Sequence, residues 1–337
     1  MSYTRETLSK RHRLSHQQID RWLDENSSKD FLQEKLGHLK MVKHFIAITD
    51  LLLQNEIPFT CLKGPLLSQH IYNDPTVRYS KDIDILIDKN QLDTTVQFFL
   101  NNGYDFTEGN FWPKNKVQQG LLIDHHHHLS FFNKEINFCV EVHWILMHNI
   151  PISQKKMKII VADNLTEMSF SGRRFTVLNR EFQLLFLLLH GSRHGWERLK
   201  WLVDIYEYPI DKIDTTAFNK LVKELNAERI IGQTNFLLHN FFNAELPSSI
   251  HQQHNEQFNH FALDFINSKD IIPQVQYKKS HIHLYYYLMF PAFAYRFKIL
   301  FKILFNPGDI KSIESRFKMI YYINRPYSYL KRQIFNA

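Results

Sequence analysis

The stretch DIDILI at residues 82–87 decides the fold, because it alternates acidic and apolar residues in the way of a half-buried β-strand. Side chains two positions apart leave the same face of a strand, so Asp82 and Asp84 share one face while Ile83 and Ile85 enter the core. Two carboxylates held this close repel each other unless a cation lies between them. Mg²⁺ prefers oxygen ligands and uses one or two carboxylates together with substrate phosphates. The stretch therefore predicts a strand with a magnesium site on one face.

A second acidic strand is predicted within FCVEVHW at residues 138–144. Alternation places Val140 and Val142 on the core face and Glu141 and His143 on the opposite face. A charged side chain inside such an apolar strand is unfavourable unless it is paired or bound to a metal. Glu141 is therefore predicted to join the first acidic strand at one site.

Three carboxylates, Asp82, Asp84 and Glu141, are thus predicted to be catalytic and to bind metal. Three carboxylates on strands, two of them in a D-x-D pattern, suit two-metal phosphoryl or nucleotidyl transfer. The alternative is structural: Asp82 caps its strand, and Glu141 forms an ion pair with Arg78 or Lys81.

Basic residues precede the acidic strand in two places. Lys63-Gly64-Pro65 is predicted to separate a buried strand from a helix over 66–72. The first amides of such a helix bind phosphates, and Lys63 adds a positive charge. Arg78, Ser80 and Lys81 are predicted to contact triphosphate oxygens, since arginine suits bidentate phosphate recognition. The alternative is a solvated loop whose bases pair with nearby acids.

A run of four histidines, His125–His128, is a candidate for the lining of a cleft. A strand conformation would place His126 and His128 on one face, where they act as polar or acid–base groups. Together with Glu141 and His143, the same pair could instead form a zinc site.

A second group of histidines is predicted further along the chain. His190 and His194 are expected to lie one turn apart on one long helix, with Arg198 continuing the stripe toward the cleft. Asp204 is expected to orient one of these histidines or Arg198. The alternative is a structural helix whose leucines face inward and whose histidines form a polar seam.

The chain of 337 residues is long enough for two moderate domains, and its pattern changes near residue 178. Helices alternate with strands before that point, which indicates an α/β unit. Leucine-rich helical patterns follow over 180–208, 216–243 and 254–268. We predict four parts: an N-terminal helical extension at 1–37, a catalytic α/β domain at 38–178, a helical domain at 179–275, and a basic aromatic C-terminal segment at 276–337.

Composition excludes several classes of protein. The two cysteines, Cys61 and Cys139, are too few and too distant for a disulfide framework or a thiolate zinc site. The N-terminus lacks the apolar stretch of a signal peptide, and no run of about 18 uncharged apolar residues predicts a membrane-spanning helix. We therefore expect a cytoplasmic protein.

Positive charge is concentrated at the C-terminus. From Lys278 to the end there are 11 lysines and arginines and 2 acids, so this segment carries +9 and the rest of the chain −2. Aromatic residues alternate with the bases, as in Tyr295-Arg296-Phe297-Lys298. Three interpretations stay open: a surface for single-stranded nucleic acid or another polyanion, a peripheral contact with the inner face of an anionic membrane through 278–332, and packing against the catalytic domain.

A set of motifs along the chain is similar to one known family. The motifs are Leu62-Lys63-Gly64, Tyr72, Pro75, Arg78, the acidic strand at 82–86, Val140-Glu141-Val142-His143-Trp144, His190, His194, Trp196, Leu199, Leu202, Asp204 and Arg325-Pro326. In this order they resemble the uncharacterised bacterial nucleotidyltransferase family of the polymerase-β-like superfold, over most of residues 40–332. The resemblance implies an α+β fold, in which a mixed sheet with helices is followed by a mostly helical domain.

The resemblance also implies roles for individual residues. Asp82 and Asp84 would be the paired metal ligands, and Glu141 the third ligand or the base. The implied cofactor is Mg²⁺ or Mn²⁺, and the implied donor is a nucleoside triphosphate. Gly64 stands where the superfold grips phosphate, but Pro65 follows it where the superfold usually has serine or glycine, which removes one N–H donor.

The leading hypothesis is transfer of a nucleoside monophosphate, or a related phosphate-linked group, from a nucleotide to a hydroxyl acceptor with release of pyrophosphate. A small molecule, a peptide, a saccharide and an RNA all stay open as acceptors, because pocket shape sets this choice. One alternative is a nucleotide-binding module that docks a partner through the basic C-terminal segment without turnover. The other is a metallohydrolase that uses His126, His128, Glu141 and His143.

Overall fold

The predicted α+β class is confirmed by the computed structural model, in which a mixed seven-stranded sheet is followed along the chain by helices. The structure describes residues 3–23, 28–268, 279–305, 310–311 and 315–323. The strands are β1 (Thr60–Cys61), β2 (Asp82–Leu86), β3 (Asp105–Phe106), β4 (His128–Asn133), β5 (Phe138–His143), β6 (Leu165–Phe170) and β7 (Arg173–Leu178). After a π-helical turn at Thr7–Arg11, the helices are α1 (His16–Leu23), α2 (Ser28–Gln54), α3 (Pro65–Tyr72), α4 (Leu92–Asn101), α5 (Lys116–His125), α6 (Gln154–Asp163), α7 (Arg180–Arg193), α8 (Leu199–Tyr206), α9 (Thr215–Leu225), α10 (Glu228–Phe242), α11 (Glu256–Asn267), α12 (Lys279–Met289) and α13 (Phe293–Phe305).

The acidic strand β2 lies at the centre of the sheet, whose strand order is β3-β4-β5-β2-β1-β7-β6. It pairs in parallel with β5 and antiparallel with β1, and β1 in turn pairs in parallel with β7. The remaining neighbours are antiparallel. Because both edges of β2 are paired, its backbone is fixed and its side chains have defined directions.

One face of this central region is apolar, as the alternation predicted. Ile83, Ile85, Val140 and Val142 are buried in a core that also receives side chains from α2 and α4. Burying branched side chains on one face leaves the acidic residues of the same two strands on the other face. The sheet therefore has a hydrophobic side and a polar side at β2 and β5.

The prediction of one helix from residue 180 to 208 is wrong, because the structure divides this stretch into α7 and α8. Gly195 and Trp196 both have positive φ angles, +63° and +55°, and this left-handed pair turns the chain. The Trp196 ring then packs over Gly191, where an added Cβ would lie 2.3 Å from the ring. Its indole N–H donates to Gln233 at 2.9 Å, which fixes the turn.

The helices α7 to α11 share a second core, which extends beyond the predicted helical domain. Leu8, Leu14 and Ile19 of the N-terminal region and Leu62 and Leu67 around α3 belong to the same cluster of buried side chains. Helix α2 also runs without interruption through residues 37 and 38. The four-part division of the chain stays a prediction.

The described part of the C-terminal segment is partly packed. Tyr285 and Tyr295 are buried in the helical core, whereas Phe293 and Phe297 are 83% and 63% exposed. Arg325-Pro326 lies outside the described residues. No helix in the described part of the chain combines the length and apolar character needed to cross a bilayer.

Candidate active site

The register between β2 and β5 determines which acidic side chains are neighbours. Asp84 is aligned with Glu141, and Leu86 with His143, in the parallel pair. On the antiparallel side of β5, Glu141 is aligned with Ser130 of β4. Residues aligned across paired strands have side chains on the same face. The structure therefore brings the predicted Asp84 and Glu141 together.

Asp84 is a buried carboxylate with two side-chain partners, Lys63 and His143. The Lys63 ammonium lies 3.3 Å from its Oδ1, and His143 Nε2 lies 3.2 Å from the same oxygen. Burial alone would raise the pKa of Asp84, but the Lys63 charge and the His143 hydrogen bond hold it well below its usual range. Asp84 is therefore ionised.

Glu141 is less buried, and His143 Nε2 lies 3.5 Å from its Oε2. Burial raises the pKa of Glu141, yet the hydrogen bond with His143 and the charges of His128 and His143 together lower it. Burial likewise lowers the pKa of His143, but the hydrogen bonds to Asp84 and Glu141 raise it above its usual value. The alternative partners Arg78 and Lys81 are not the ones that Glu141 contacts.

Asp82 has the opposite electrostatic environment from Asp84, although both lie on the polar face of β2. Burial, followed by repulsion from Asp84 and Glu141, raises the pKa of Asp82, while Lys200 and Lys63 oppose the shift. A protonated or cation-bound Asp82 relieves that repulsion. The D-x-D pair thus combines one carboxylate whose pKa is lowered, Asp84, with one whose pKa is raised, Asp82.

The turn at Lys63 and Gly64 joins β1 to α3 beside this cluster. Gly64 has φ +81°, and an added Cβ would lie 3.3 Å from Ile83 Cγ2, so glycine suits the close approach to β2. Pro65 is the first residue of α3, where a missing N–H leaves no helical bond unmade. Lys63 Nζ also lies 3.3 Å from His190 Nε2. The predicted phosphate turn and the carboxylates therefore adjoin each other.

Arg78 is placed differently from the phosphate contact predicted for it. Its Nε donates to both Asp204 oxygens at 2.9 Å, and its Nη1 donates to Ser80 Oγ at 3.0 Å. Burial would lower the pKa of Arg78, but the charge of Asp204 raises it. Asp204 therefore pairs with Arg78, which corrects the expectation that it orients His190, His194 or Arg198. Lys81 is exposed.

The histidine run does not form one strand, which corrects the predicted pairing of His126 with His128. His125 ends α5, His126 follows as an exposed residue, and only His128 lies on β4. A chain that leaves a helix cannot keep the two-residue alternation of a strand. The neighbour of His128 and His143 is His127 and not His126, because His127, His128 and His143 each have a ring nitrogen within 4.8 Å of the others.

The second group of histidines is also rearranged by the left-handed turn. His190 lies within α7, but His194 caps its C-terminus and Arg198 precedes α8, so the stripe is not continuous. The rings of His190 and His194 remain 4.6 Å apart, and His194 stacks on Trp201 at 4.9 Å. Burial, with Lys63 nearby, holds the pKa of His190 well below its usual value. The Arg198 guanidinium contacts the Trp201 ring and Glu197 instead of the carboxylates on β2 and β5.

Three residues at the site were not predicted: His127, Arg193 and Lys200. Arg193 lies three positions after His190, and that helical spacing was the available signal. Lys200 Nζ donates to the Tyr79 carbonyl at 3.3 Å, and burial followed by Arg78 lowers its pKa to about 7. This contact lies next to the loop that leads into β2.

The donor groups in this cluster fit a divalent cation. Asp84, Glu141 and His143 each offer one ligand atom, and the three atoms lie within 4.8 Å of one another. Two of the three are carboxylate oxygens, which Mg²⁺ prefers, and the imidazole also admits a transition metal. Asp82 adds a neighbouring carboxylate on the same strand face.

Comparisons with known proteins identify a family for this chain. The sequence model of a family described as "Uncharacterised nucleotidyltransferase" matches residues 8–243. A crystal structure of the lincosamide antibiotic adenylyltransferase LnuA, bound to lincomycin, is similar with 17% identity over 43% of this chain and 84% of that chain. The TM-score between the two structures is 0.30. No curated protein sequence matches significantly.

Proposed function

This chain belongs to the family of uncharacterised nucleotidyltransferases, and on that premise we propose that it transfers a nucleoside monophosphate from a nucleoside triphosphate to a hydroxyl acceptor. The acceptor oxygen forms a bond to the α-phosphorus, the bond from that phosphorus to the bridging oxygen breaks, and pyrophosphate leaves. The observation that carries this proposal is the alignment of Asp84 with Glu141 across paired strands, with Lys63 at 3.3 Å.

Asp84 and Glu141, joined by Asp82, would hold the divalent cation, Mg²⁺ or Mn²⁺. The bound cation would neutralise charge on the triphosphate and on the leaving pyrophosphate. The proposal draws support from the opposite pKa shifts of the two aspartates, since a divalent cation removes the repulsion that raises the pKa of Asp82.

Glu141 is proposed to accept the proton of the attacking hydroxyl. Its hydrogen bond with His143 keeps it ionised, and an ionised carboxylate is what a general base requires. Its side chain is 27% exposed, against 5% for Asp84, so it is the more accessible of the two to an acceptor.

Lys63 and the first amides of α3 are proposed to hold the donor phosphates, with the Gly64 turn bringing the backbone close to β2. Lys81 is exposed and is proposed as a further phosphate contact. Arg78 and Ser80 are proposed to act as positioning residues, because the Arg78 guanidinium donates to both Ser80 and Asp204. They would fix the loop that enters β2 and so the direction of Asp82.

The experiment is calorimetric titration with nucleoside triphosphates, with and without Mg²⁺, followed by pyrophosphate release across small-molecule, peptide, saccharide and RNA acceptors. Metal-dependent binding and acceptor-dependent release are expected. Asp84→Asn is expected to lower release by about 100-fold or more, since losing a metal ligand removes several kcal/mol of transition-state stabilisation. Asp105→Asn, on β3 with its carboxylate exposed, is the matched control and should release pyrophosphate as the wild type does.

Two results would redirect the assignment. Mg²⁺-dependent binding with no pyrophosphate under any acceptor would favour a binding module that does not turn over. Stoichiometric zinc in protein purified without an affinity tag would favour a hydrolytic site built on the histidines near Glu141.

A further inference from the structure

Arg193, the last residue of α7, is a largely enclosed cation without a charged partner. Its guanidinium contacts His127 Nε2 at 3.0 Å, and among the described residues no carboxylate oxygen lies within 4.0 Å of it. Burial lowers the pKa of His127 far below its usual range, so the ring is neutral and its Nε2 accepts from Arg193. Burial also lowers the pKa of Arg193 itself, with Tyr286 and Glu141 opposing the shift.

An enclosed guanidinium with only a neutral acceptor is an unusual arrangement, because buried charges are generally paired or bound to a ligand. The C-terminal end of α7 carries partial negative charge and offsets part of the desolvation of Arg193. This helix end does not supply a second hydrogen-bond acceptor for the N–H groups of the planar guanidinium. Arg193 therefore keeps donor capacity that suits a planar or tetrahedral anion.

A cavity of about 130 Å³ adjoins this arginine. Its other walls are mostly apolar, with Met147, Leu189, Met289 and Phe290 among them. An apolar cavity of about 150 Å³ is large enough for benzene, so this one accepts a body of roughly one ring. It is too small for a nucleoside.

The cavity lies close to the carboxylates through a short series of contacts. Arg193 contacts His127, whose ring centroid is 5.9 Å from that of His143, and His143 Nε2 is 3.2 Å from Asp84. His148, which also lines the cavity, stacks on His127 at 5.5 Å between ring centroids. Two side chains, His127 and His143, therefore lie between Arg193 and the Asp84 carboxylate.

We propose that this cavity binds the acceptor of the nucleotidyl transfer, and that the acceptor is a small compound with a ring-sized apolar body and an anionic group, a carboxylate or a phosphate monoester, held by Arg193. The proposal rests on the proposed function in calling the ligand an acceptor. The chemistry of the ligand is inferred from a guanidinium with no carboxylate partner among the described residues and from the mostly apolar cavity. It narrows the open list of acceptors to small molecules or to a small terminal group.

The test is calorimetric titration of the full chain with three probes of similar shape: benzoate, phenyl phosphate and benzyl alcohol. The wild type is expected to bind one or both anions at least tenfold more tightly than the neutral alcohol. Benzoate and phenyl phosphate distinguish a carboxylate from a phosphate ligand. Equal affinity for all three probes, or no binding of any of them, would overturn the proposal.

Three variants separate the charge from the cavity. Arg193→Gln is expected to weaken the preferred anion about tenfold, to the level of the alcohol, and Arg193→Lys to recover part of the loss. Met289→Trp, which fills the cavity, is expected to abolish binding of every probe. Arg173→Gln, which removes a surface arginine paired with Asp50, is the matched control and should bind like the wild type. Anion binding that survives Arg193→Gln would overturn the proposal.

Nucleotide titrations keep this proposal distinct from the proposed function. Binding of ATP with Mg²⁺ is expected to be unchanged by Arg193→Gln. A parallel loss of ATP and benzoate binding would assign Arg193 to the donor and overturn the acceptor proposal. Failure of pyrophosphate release, with probe binding intact and dependent on Arg193, would instead count against the transfer reaction.

Discussion

Arg78 and Arg193 are both enclosed near the carboxylate site, but one has a charged partner and the other does not. Asp204 holds Arg78 through two contacts of 2.9 Å, and the pair raises the pKa of Arg78 in spite of burial. The Arg193 guanidinium hydrogen-bonds to the neutral His127 ring and, within the described ranges of the chain, to no carboxylate; burial lowers the pKa of Arg193. The difference indicates that Arg78 serves the fold, whereas Arg193 is available to a ligand.

The surroundings of the two arginines agree with this distinction. The Arg78 side chain is 4% exposed and that of Asp204 is 1% exposed, so water does not screen their pair. Arg193 borders a cavity instead. The comparison predicts that the two regions will respond differently when a single side chain is altered.

The largest effect is expected for Asp204→Asn. It leaves the Arg78 guanidinium buried without a counter-charge, and breaking such a pair typically lowers the free energy of unfolding by about 3–5 kcal/mol. Urea denaturation followed by circular dichroism measures the change. Asp50→Asn, which breaks an exposed pair with Arg173, is the control and should change stability little. An effect of Asp204→Asn as small as that of the control would refute the structural role of Arg78.

A smaller loss of unfolding free energy is expected when Arg78 and Asp204 are both replaced by apolar residues. Arg78→Met combined with Asp204→Leu removes both desolvated charges, and such replacements are often neutral in stability or better. The double variant should therefore be more stable than Asp204→Asn alone in the same urea titration. A double variant that is less stable than either single change would show that the charges contribute more than their mutual pairing.

A buried histidine remote from both arginines predicts a pH effect of intermediate size. Burial, followed by the charge of Arg11, lowers the pKa of His12 to about 3, and its Nδ1 accepts from the Leu199 amide at 3.2 Å. The unfolded chain binds a proton at this residue below about pH 6.5, and the folded chain does not until about pH 3. His12 therefore makes the free energy of unfolding fall by about 1.4 kcal/mol per pH unit as pH decreases through that window.

His12→Gln should reduce the pH dependence of the unfolding free energy by the contribution of about one bound proton. The measurement is the difference in unfolding free energy between pH 6 and pH 4.5. Other buried histidines contribute to both proteins, so the comparison between variants isolates His12. His260→Gln, on an exposed position of α11, serves as the control. An unchanged slope in His12→Gln would mean that this histidine is protonated in the folded protein.

The smallest effect on stability is expected for Arg193→Gln. The change removes a charge without a counter-ion, and the glutamine amide can still donate to His127, so the free energy of unfolding should change by less than about 1 kcal/mol. The same urea titration measures it. A loss as large as that of Asp204→Asn would show that Arg193 stabilises the fold, and the distinction between the two arginines would disappear.

The sequence predicted those features of the fold that depend on local patterns. Alternation predicted strands within residues 82–87 and 138–144 together with their core face, and the structure has strands there at Asp82–Leu86 and Phe138–His143. The α+β class and the family followed from the same motifs and are confirmed. These are short-range properties, and one chain segment is enough to determine them.

The contacts that distinguish the two arginines were not predictable in this way. Arg78 and Asp204 are 126 residues apart, and alternation or helical spacing carries no information at that separation. The place of His127 depends on where α5 ends, and element ends are read poorly from sequence. The break after α7 depends on Trp196 taking a left-handed conformation, which is uncommon outside glycine.

The central position of β2 has a consequence for the order in which the protein is synthesised. Its antiparallel partner β1 precedes β2 by about 20 residues, but its parallel partner β5 follows only at Phe138–His143. The parallel partner of β1 is β7, which is made later still, at Arg173–Leu178. Closing such long loops slows folding, and an unpaired strand edge is a site of aggregation. On the ribosome the acidic strand therefore emerges well before Glu141 can lie beside it, and Arg78 emerges well before Asp204. The candidate site is completed only after most of the sheet has been made, so a truncated chain exposes the edge of β2 and lacks the assembled carboxylates.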